Sequence, residues 1–138
     1  MNRAILVVDD DRDHAESIAD ILASRGFQVE MSFTGEDAVR RSAERPYDLT
    51  LMDVKLPGMN GVEAFFEVRR HHPAAPIIMM TGYSVEQLLS QAVLSGAEAI
   101  LHKPFAVDVL LRAVGEVPSL RHRADPASTD PLASLKRA

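Results

Sequence analysis

The sequence predicts an α/β fold, a parallel five-stranded sheet wound on both faces by helices. Three observations carry this. Short apolar, β-branched-rich runs alternate with amphipathic helical patterns along most of the chain. Several runs are apolar throughout, as strands covered on both faces require. Most of the runs stop at a charged or hydroxyl residue, so polar groups recur at strand ends.

Ala4-Ile5-Leu6-Val7-Val8 is the first strand, stopped by Asp9, Asp10 and Asp11. Ala15, Ile18, Ala19, Ile21 and Leu22 recur at helical spacing, and Gly26 ends that helix. Phe27 to Met31 alternates, as a strand nearer an edge does. Thr34 caps a second helix, which runs to about Arg45 before Pro46. Tyr47 to Met52 is the third strand, ending in Asp53. Leu56-Pro57-Gly58-Met59-Asn60-Gly61 is turn chemistry, and Val62 to His72 an amphipathic helix with Ala64, Phe65 and Val68 inward. Ile77 to Met80 is the fourth strand, ending at Thr81-Gly82. Ser84 with Gln87 forms a capping box for a helix to about Ser95, ended by Gly96. Ala99 to His102 is the fifth strand, closed by Lys103-Pro104, and Val107 to Val117 is the last helix, ended by Pro118.

The chain has 138 residues, 46% hydrophobic and 25% charged, in the range of one globular domain. It has no cysteine, which excludes disulfides and thiolate metal sites. No apolar run is long enough to cross a bilayer and no leader pattern precedes Asp9, so a cytoplasmic location is expected, with no membrane partner. The net charge of −5 argues against direct nucleic-acid binding by phosphate neutralisation. Residues 1–117 carry 11 Lys and Arg against 18 Asp and Glu, whereas residues 118–138 carry 4 against 2. The second stretch is rich in Pro, Ala, Ser and Asp and reads as a flexible C-terminal tail or linker, with a short helix from Pro131 to Arg137.

In a parallel sheet the strand ends share one edge, where ligands gather. Asp9, Asp10, Asp53, Thr81 and Lys103 then surround one crevice. Carboxylates brought together require a cation, and an oxygen-only set selects a hard one such as Mg2+. An ammonium and a hydroxyl beside that cation suit a phosphoryl group, and Asp53 is placed to be the nucleophile that forms an acyl phosphate.

Val7-Val8-Asp9-Asp10-Asp11, Met52-Asp53-Val54-Lys55-Leu56-Pro57-Gly58-Met59-Asn60-Gly61, Met80-Thr81-Gly82-Tyr83 and His102-Lys103-Pro104-Phe105 resemble, in order and spacing, the signatures of two-component response-regulator receiver domains. The resemblance covers about residues 3–117 and implies a receiver domain over 1–117 of flavodoxin-like (βα)5 fold, strand order 2-1-3-4-5. It implies that Asp53 accepts a phosphoryl group from a phosphohistidine on a sensor histidine kinase or histidine phosphotransfer protein. Asp10, Asp53 and the backbone carbonyl of Lys55 would hold Mg2+, and Asp9 would act through a metal-bound water. Lys103, followed by a cis proline, would pair with the phosphoryl oxygens, and Thr81 would move to hydrogen-bond one of them. The implied role is a phosphorylation switch with self-catalysed transfer and autodephosphorylation, not a turnover enzyme. Its output face would be helix four, strand five and helix five, including Gln87, Gln91, Ser95, Ile100, Asp108 and Arg112, read by a downstream protein or by a phosphorylation-dependent homodimer.

The chain departs from many receivers at Ile100, where an aromatic residue usually stands three positions before the strand-five lysine. Tyr83 is the candidate replacement, and with Lys55 it flanks Asp53 and Thr81 where both side chains would shield an acyl phosphate from water. Asp11 and Asp13 read as caps of the first helix rather than ligands. Asp20, Glu36 and Asp37 read as solvated helix residues, and Arg40, Arg41, Arg69 and Arg70 as solvated helix faces. His14 lies close to the acidic cluster and could tune it, but reads as a surface histidine; His71 and His72 read as helix-end cations, His102 as non-catalytic, and Met79-Met80 as core.

Three alternatives stand beside this reading. One is a receiver module of a larger transcription factor or hybrid kinase, with the tail as linker. Another is a haloacid-dehalogenase-type phosphatase, suggested by Asp9-x-Asp11 but lacking the Gly-Thr that follows it in that family and the cap domain. The last is a binding module that keeps only the fold, against which the intact acidic pair, Asp53, Thr81 and Lys103 argue.

Overall fold

The computed structural model describes residues 3–82 and 96–120. Five parallel strands form one sheet in the order β2-β1-β3-β4-β5: β1 Ala4–Val8, β2 Gln28–Ser32, β3 Leu49–Asp53, β4 Ile77–Thr81 and β5 Ala99–His102. Helices α1 Arg12–Ala23, α2 Gly35–Glu44 and α3 Gly61–His71 follow the first three strands, and the C-terminal helix Val107–Gly115 follows the fifth. The helix expected from Ser84 to Ser95, with Tyr83, Gln87 and Gln91, falls outside the described residues.

Successive side chains on a strand face opposite sides, and the core divides accordingly. Leu6, Val8, Met52, Ile77 and Met79 pack under α2 and α3 with Ala38, Val62, Phe65 and Val68. Ile5, Val7, Leu49, Leu51, Ile78, Met80 and Leu101 pack under α1 and the C-terminal helix with Ile18, Leu22, Leu110 and Val114. Strands buried on both faces explain the wholly apolar runs. Phe65 has no solvent exposure, and truncating such a side chain to alanine costs about 3–5 kcal/mol.

The helix starts are chemically specified. Asp11 caps α1 by accepting from the His14 backbone N–H at 3.2 Å, and Thr34 caps α2 by accepting from Asp37 N–H at 3.0 Å. At α3, Asn60 and Glu63 form a reciprocal capping box, so the helix begins at Gly61, a residue earlier than the apolar pattern indicates. Gly26, at φ 94°, supplies the left-handed turn after α1.

β2 is shifted by one residue from the alternating pattern, to Gln28–Ser32, and two further boundaries differ. Tyr47 is not in β3. Its ring is buried against the α2–α3 core and its hydroxyl donates to Glu30 Oε1 at 2.6 Å, on edge strand β2. The C-terminal helix stops at Gly115, yet the chain stays packed beyond Pro118: Ser119 Oγ donates to the Asp48 carbonyl at 3.2 Å and Leu120 is fully buried.

Arg69 is not a solvated arginine. Its Nε donates to the Ala75 carbonyl at 2.8 Å, its Nη2 to the Gly96 carbonyl at 2.9 Å, and its guanidinium lies over the Phe65 ring. On α2, Asp37 accepts from Ser32 Oγ, Arg40 and Arg41, while Arg41 and Arg45 both reach Glu30. Glu36 accepts from the Met59 backbone N–H. These carboxylates hold loops and the β2 edge in place rather than facing solvent alone. His72 likewise bonds the Ser42 carbonyl through Nε2, at 2.7 Å.

Candidate functional site

Strand parity places the site. Asp9, Asp53 and Lys103 continue the series Ile5-Val7, Leu49-Leu51 and Leu101, whose side chains turn toward α1 and the C-terminal helix. At the carboxyl ends of β1, β3 and β5 they converge. Lys103 Nζ donates to Asp9 Oδ2 and to Asp53 Oδ2, each at 2.9 Å. Both carboxylates are buried, Asp9 completely.

Backbone donors hold the other carboxylate oxygens. Asp9 Oδ1 accepts from Asp11 N–H at 3.0 Å, and Asp53 Oδ1 from Lys55 N–H at 3.3 Å. Asp10 is exposed at the mouth, and ligand oxygens of Asp9, Asp10 and Asp53 all lie within 4.8 Å of one another. The peptide bond between Lys103 and Pro104 is cis, and Lys103 N–H donates to the Thr81 carbonyl.

The electrostatics divide the two buried acids. Burial pushes Asp53 up to about 6; Lys103 opposes the rise and the neighbouring Asp9 carboxylate adds to it. Burial acts upward on Asp9 as well, but donors from His14, Asp11 and Lys103 outweigh it and hold that carboxyl below its usual range. Lys103 is desolvated, yet its two carboxylate partners raise it above an ordinary lysine. The site therefore holds one firmly ionised carboxylate, one whose charge is costly, and one ammonium between them.

Thr81 Oγ1 is buried and has no hydrogen-bond partner among the described residues. A buried hydroxyl without a partner costs about 1–3 kcal/mol. Gly61 closes the floor of the site: a Cβ there would lie 1.8 Å from the Asp53 carbonyl oxygen.

All six residues expected from sequence lie at this edge of the sheet, Asp9, Asp10, Asp53, Lys55, Thr81 and Lys103; the Lys55 side chain is exposed. Ile100 is half-buried against the α2–α3 core, and His102 is exposed. His14, favoured as a surface histidine, makes a contact in the site instead. His14 Nδ1 lies 2.6 Å from Asp9 Oδ2, with its ring tilted against Phe105. Strand parity holds the signal: Asp9 turns toward the α1 face, and His14 is in the first turn of α1.

The donor set fits a hard divalent cation. It offers only oxygens, two of its three carboxylates are buried together, and the unpartnered hydroxyl beside it suits an anion drawn to the same place.

Comparisons with known proteins agree. The profile of the response regulator receiver domain matches residues 5–115. The transcriptional regulatory protein ZraR of Salmonella typhimurium is 33% identical over 130 residues, which is 94% of this chain and 29% of ZraR. The chain thus spans less than a third of the curated relative's length. A CheY-like receiver domain protein from Methanospirillum hungatei superposes with a TM-score of 0.79 at 28% identity, over 94% of this chain and 99% of that one. The receiver domain of the sensor histidine kinase PA1611 from Pseudomonas aeruginosa, solved with a magnesium ion in its active-site cleft, gives 0.77 at 29% identity, over 85% and 98%. Among the described residues no helix is long and apolar enough to cross a membrane. With its five-stranded 2-1-3-4-5 sheet and the acidic cluster at the strand ends, this chain belongs to the response regulator receiver domain family.

Proposed function

We propose that the chain is a phosphorylation switch in a phosphorelay, with Asp53 as phospho-acceptor. The observation that carries this is the Asp53 carboxylate held at 2.9 Å by Lys103 while a buried Thr81 hydroxyl stands unpartnered at the same edge. Asp10, Asp53 and the Lys55 carbonyl would hold Mg2+, with Asp9 acting through a water; PA1611, a relative in fold, carries magnesium in its cleft. Magnesium, when bound, supplies positive charge against the carboxylates and the transferring phosphoryl oxygens.

An Asp53 oxygen attacks phosphorus in line, the P–N bond of a donor phosphohistidine breaks, and the imidazole leaves with its electron pair. Lys103 follows the new negative charge onto the phosphoryl oxygens, and the Thr81 hydroxyl donates to one of them. Water later attacks phosphorus, releasing inorganic phosphate and restoring the Asp53 carboxylate. The chain needs no acid–base histidine for either step.

Partners follow from the same reading. A sensor histidine kinase or histidine phosphotransfer protein supplies the phosphoryl group, and β5 with the C-terminal helix, including Ile100, Asp108 and Arg112, forms the described part of the face read by a downstream protein or a second copy. The receiver is assigned to residues 1–117 and, because Ser119 and Leu120 pack on it, is extended to residue 120, with 121–138 as tail or linker; the location is assigned to the cytoplasm. A second reading, a receiver module of a larger transcription factor, is favoured by the similarity to ZraR and to the regulatory protein AtoC.

The donor class is tested with phosphoimidazole, a small analogue of phosphohistidine. Phosphorylation that Asp53→Asn abolishes supports the reading. No phosphorylation of the folded wild type at saturating phosphoimidazole and Mg2+ contradicts it.

A further inference from the structure

We propose that His14 is a positioning residue that keeps the Asp9 carboxylate in place when Lys103 turns to the phosphoryl group. The inference rests on the phosphorylation-switch reading and extends it to a residue outside the four motifs.

Asp9 is fully buried and takes three donors: Asp11 N–H on Oδ1, and Lys103 Nζ and His14 Nδ1 on Oδ2. An ionised carboxylate only accepts, so Nδ1 carries the hydrogen in this contact. The His14 ring is fixed on its other side by Phe105, with centroids 5.6 Å apart, and its side chain is 30% exposed at the rim.

Lys103 is shared. Its ammonium stands 2.9 Å from Asp9 and 2.9 Å from Asp53, so a third acceptor arriving at Asp53 competes for it. If Lys103 moves toward that acceptor, Oδ2 of Asp9 loses one of its two donors. Without His14 it would lose both, leaving a buried carboxylate oxygen unpaired, free to rotate about χ2 and at a desolvation cost. His14 is the donor that stays. It also fixes the carboxylate plane, and with it the direction of the Oδ1 lone pair that is left for a cation-bound water. Hydrogen-bond partners one step removed from a metal set its affinity in this way, commonly by about 10–100-fold.

The test is divalent-cation affinity of the full chain, read by Mn2+ electron paramagnetic resonance at saturating beryllofluoride, a phosphoryl mimic that competes for Lys103. His14→Leu removes the donor and keeps bulk against Phe105. His14→Asn restores an N–H near the Nδ1 position. Asp10→Ala controls for the site itself. The expected result is an affinity about tenfold weaker in His14→Leu, recovered most of the way in His14→Asn, and largely lost in Asp10→Ala. Equal affinity in wild type, His14→Leu and His14→Asn, with loss only in Asp10→Ala, overturns the role of His14 and leaves the metal site standing. Loss in both His14 variants alike shows that the ring packs rather than positions, and also overturns the proposal. Wild-type affinity that Asp10→Ala does not change overturns the site reading and this proposal with it.

Discussion

Lys103 Nζ stands 2.9 Å from Oδ2 of Asp53, an ion pair that ties the end of β5 to the end of β3 across the intervening β4. The pair is short, largely buried and shared with Asp9, so it differs from the exposed pairs on α2 and α3. Breaking a buried pair by removing one partner leaves the other charge uncompensated. Replacing Lys103 by Met leaves two adjacent carboxylates and no cation between them. Urea unfolding in EDTA at pH 7 is expected to show a loss of about 3 kcal/mol. Phosphorylation by a small-molecule donor is expected to slow by about 100-fold, the loss of one charge-stabilising donor. An unchanged rate would remove Lys103 from the chemistry.

Thr81 makes the opposite prediction for stability. Its hydroxyl is buried without a partner among the described residues, so Thr81→Val, close to isosteric, removes a desolvation cost and is expected to leave resting stability unchanged or raise it by about 1 kcal/mol. The same variant removes the hydroxyl donor, and its phosphorylated form is expected to lose the change at β5 that wild type shows. Thr81→Ser keeps the donor and is expected to keep the change. Amide NMR of β5 with a beryllofluoride mimic separates them, and an identical shift pattern in all three proteins would contradict the role.

Gly61 predicts a steric effect at the floor of the site. A Cβ would lie 1.8 Å from the Asp53 carbonyl oxygen and 2.8 Å from Val54 Cα, both backbone, so neither a rotamer change nor a small shift makes room. Gly61→Ala is expected to cost about 3 kcal/mol, at the upper end of overpacking effects. Gly82, just after β4, has no atom of the described residues within 4 Å of its built Cβ, and Gly82→Ala is expected to fall within about 0.5 kcal/mol of wild type. Urea unfolding of the two variants tests the contrast.

Asp37 carries a pH dependence. Partial burial would raise its carboxyl, but Ser32, Arg40 and Arg41 hold it below the usual range. A carboxyl depressed in the folded state contributes stability above its unfolded value of about 3.9, and that contribution is lost as pH falls through the folded value. Asp37→Asn is expected to be about 1 kcal/mol less stable than wild type at pH 7, with the gap narrowing below about pH 4. Urea midpoints at pH 7, 5 and 3.5 measure it, and a gap that persists undiminished at the lowest pH would contradict the assignment.

The sequence made the convergence of Asp9, Asp53 and Lys103 legible because it needs only parallel strands: in such a sheet every strand ends at the same edge. The caps at Asp11 and Thr34 were legible for a similar reason, being contacts within three residues. What was not legible depended on how one element turns relative to another. His14 meets Asp9 only because α1 lies on the face toward which Asp9 turns. Arg69 folds back over Phe65 and reaches the Gly96 carbonyl, 27 residues away in sequence, and nothing in the local pattern marks that. Tyr47 satisfies strand propensity, but its ring has a larger apolar surface to bury beside α2 and α3, and its hydroxyl finds Glu30 there. Leu120 lies past Pro118, after the C-terminal helix has ended at Gly115, and burial still reaches it.

The most direct test of the central claim is intact mass after incubation with acetyl phosphate, with and without Mg2+, for wild type and Asp53→Ala. The account predicts a gain of one phosphoryl group in wild type, dependent on Mg2+ and absent from Asp53→Ala. A gain that persists in Asp53→Ala, or no gain in folded wild type with Mg2+ and with a beryllofluoride mimic also failing to bind, would contradict it.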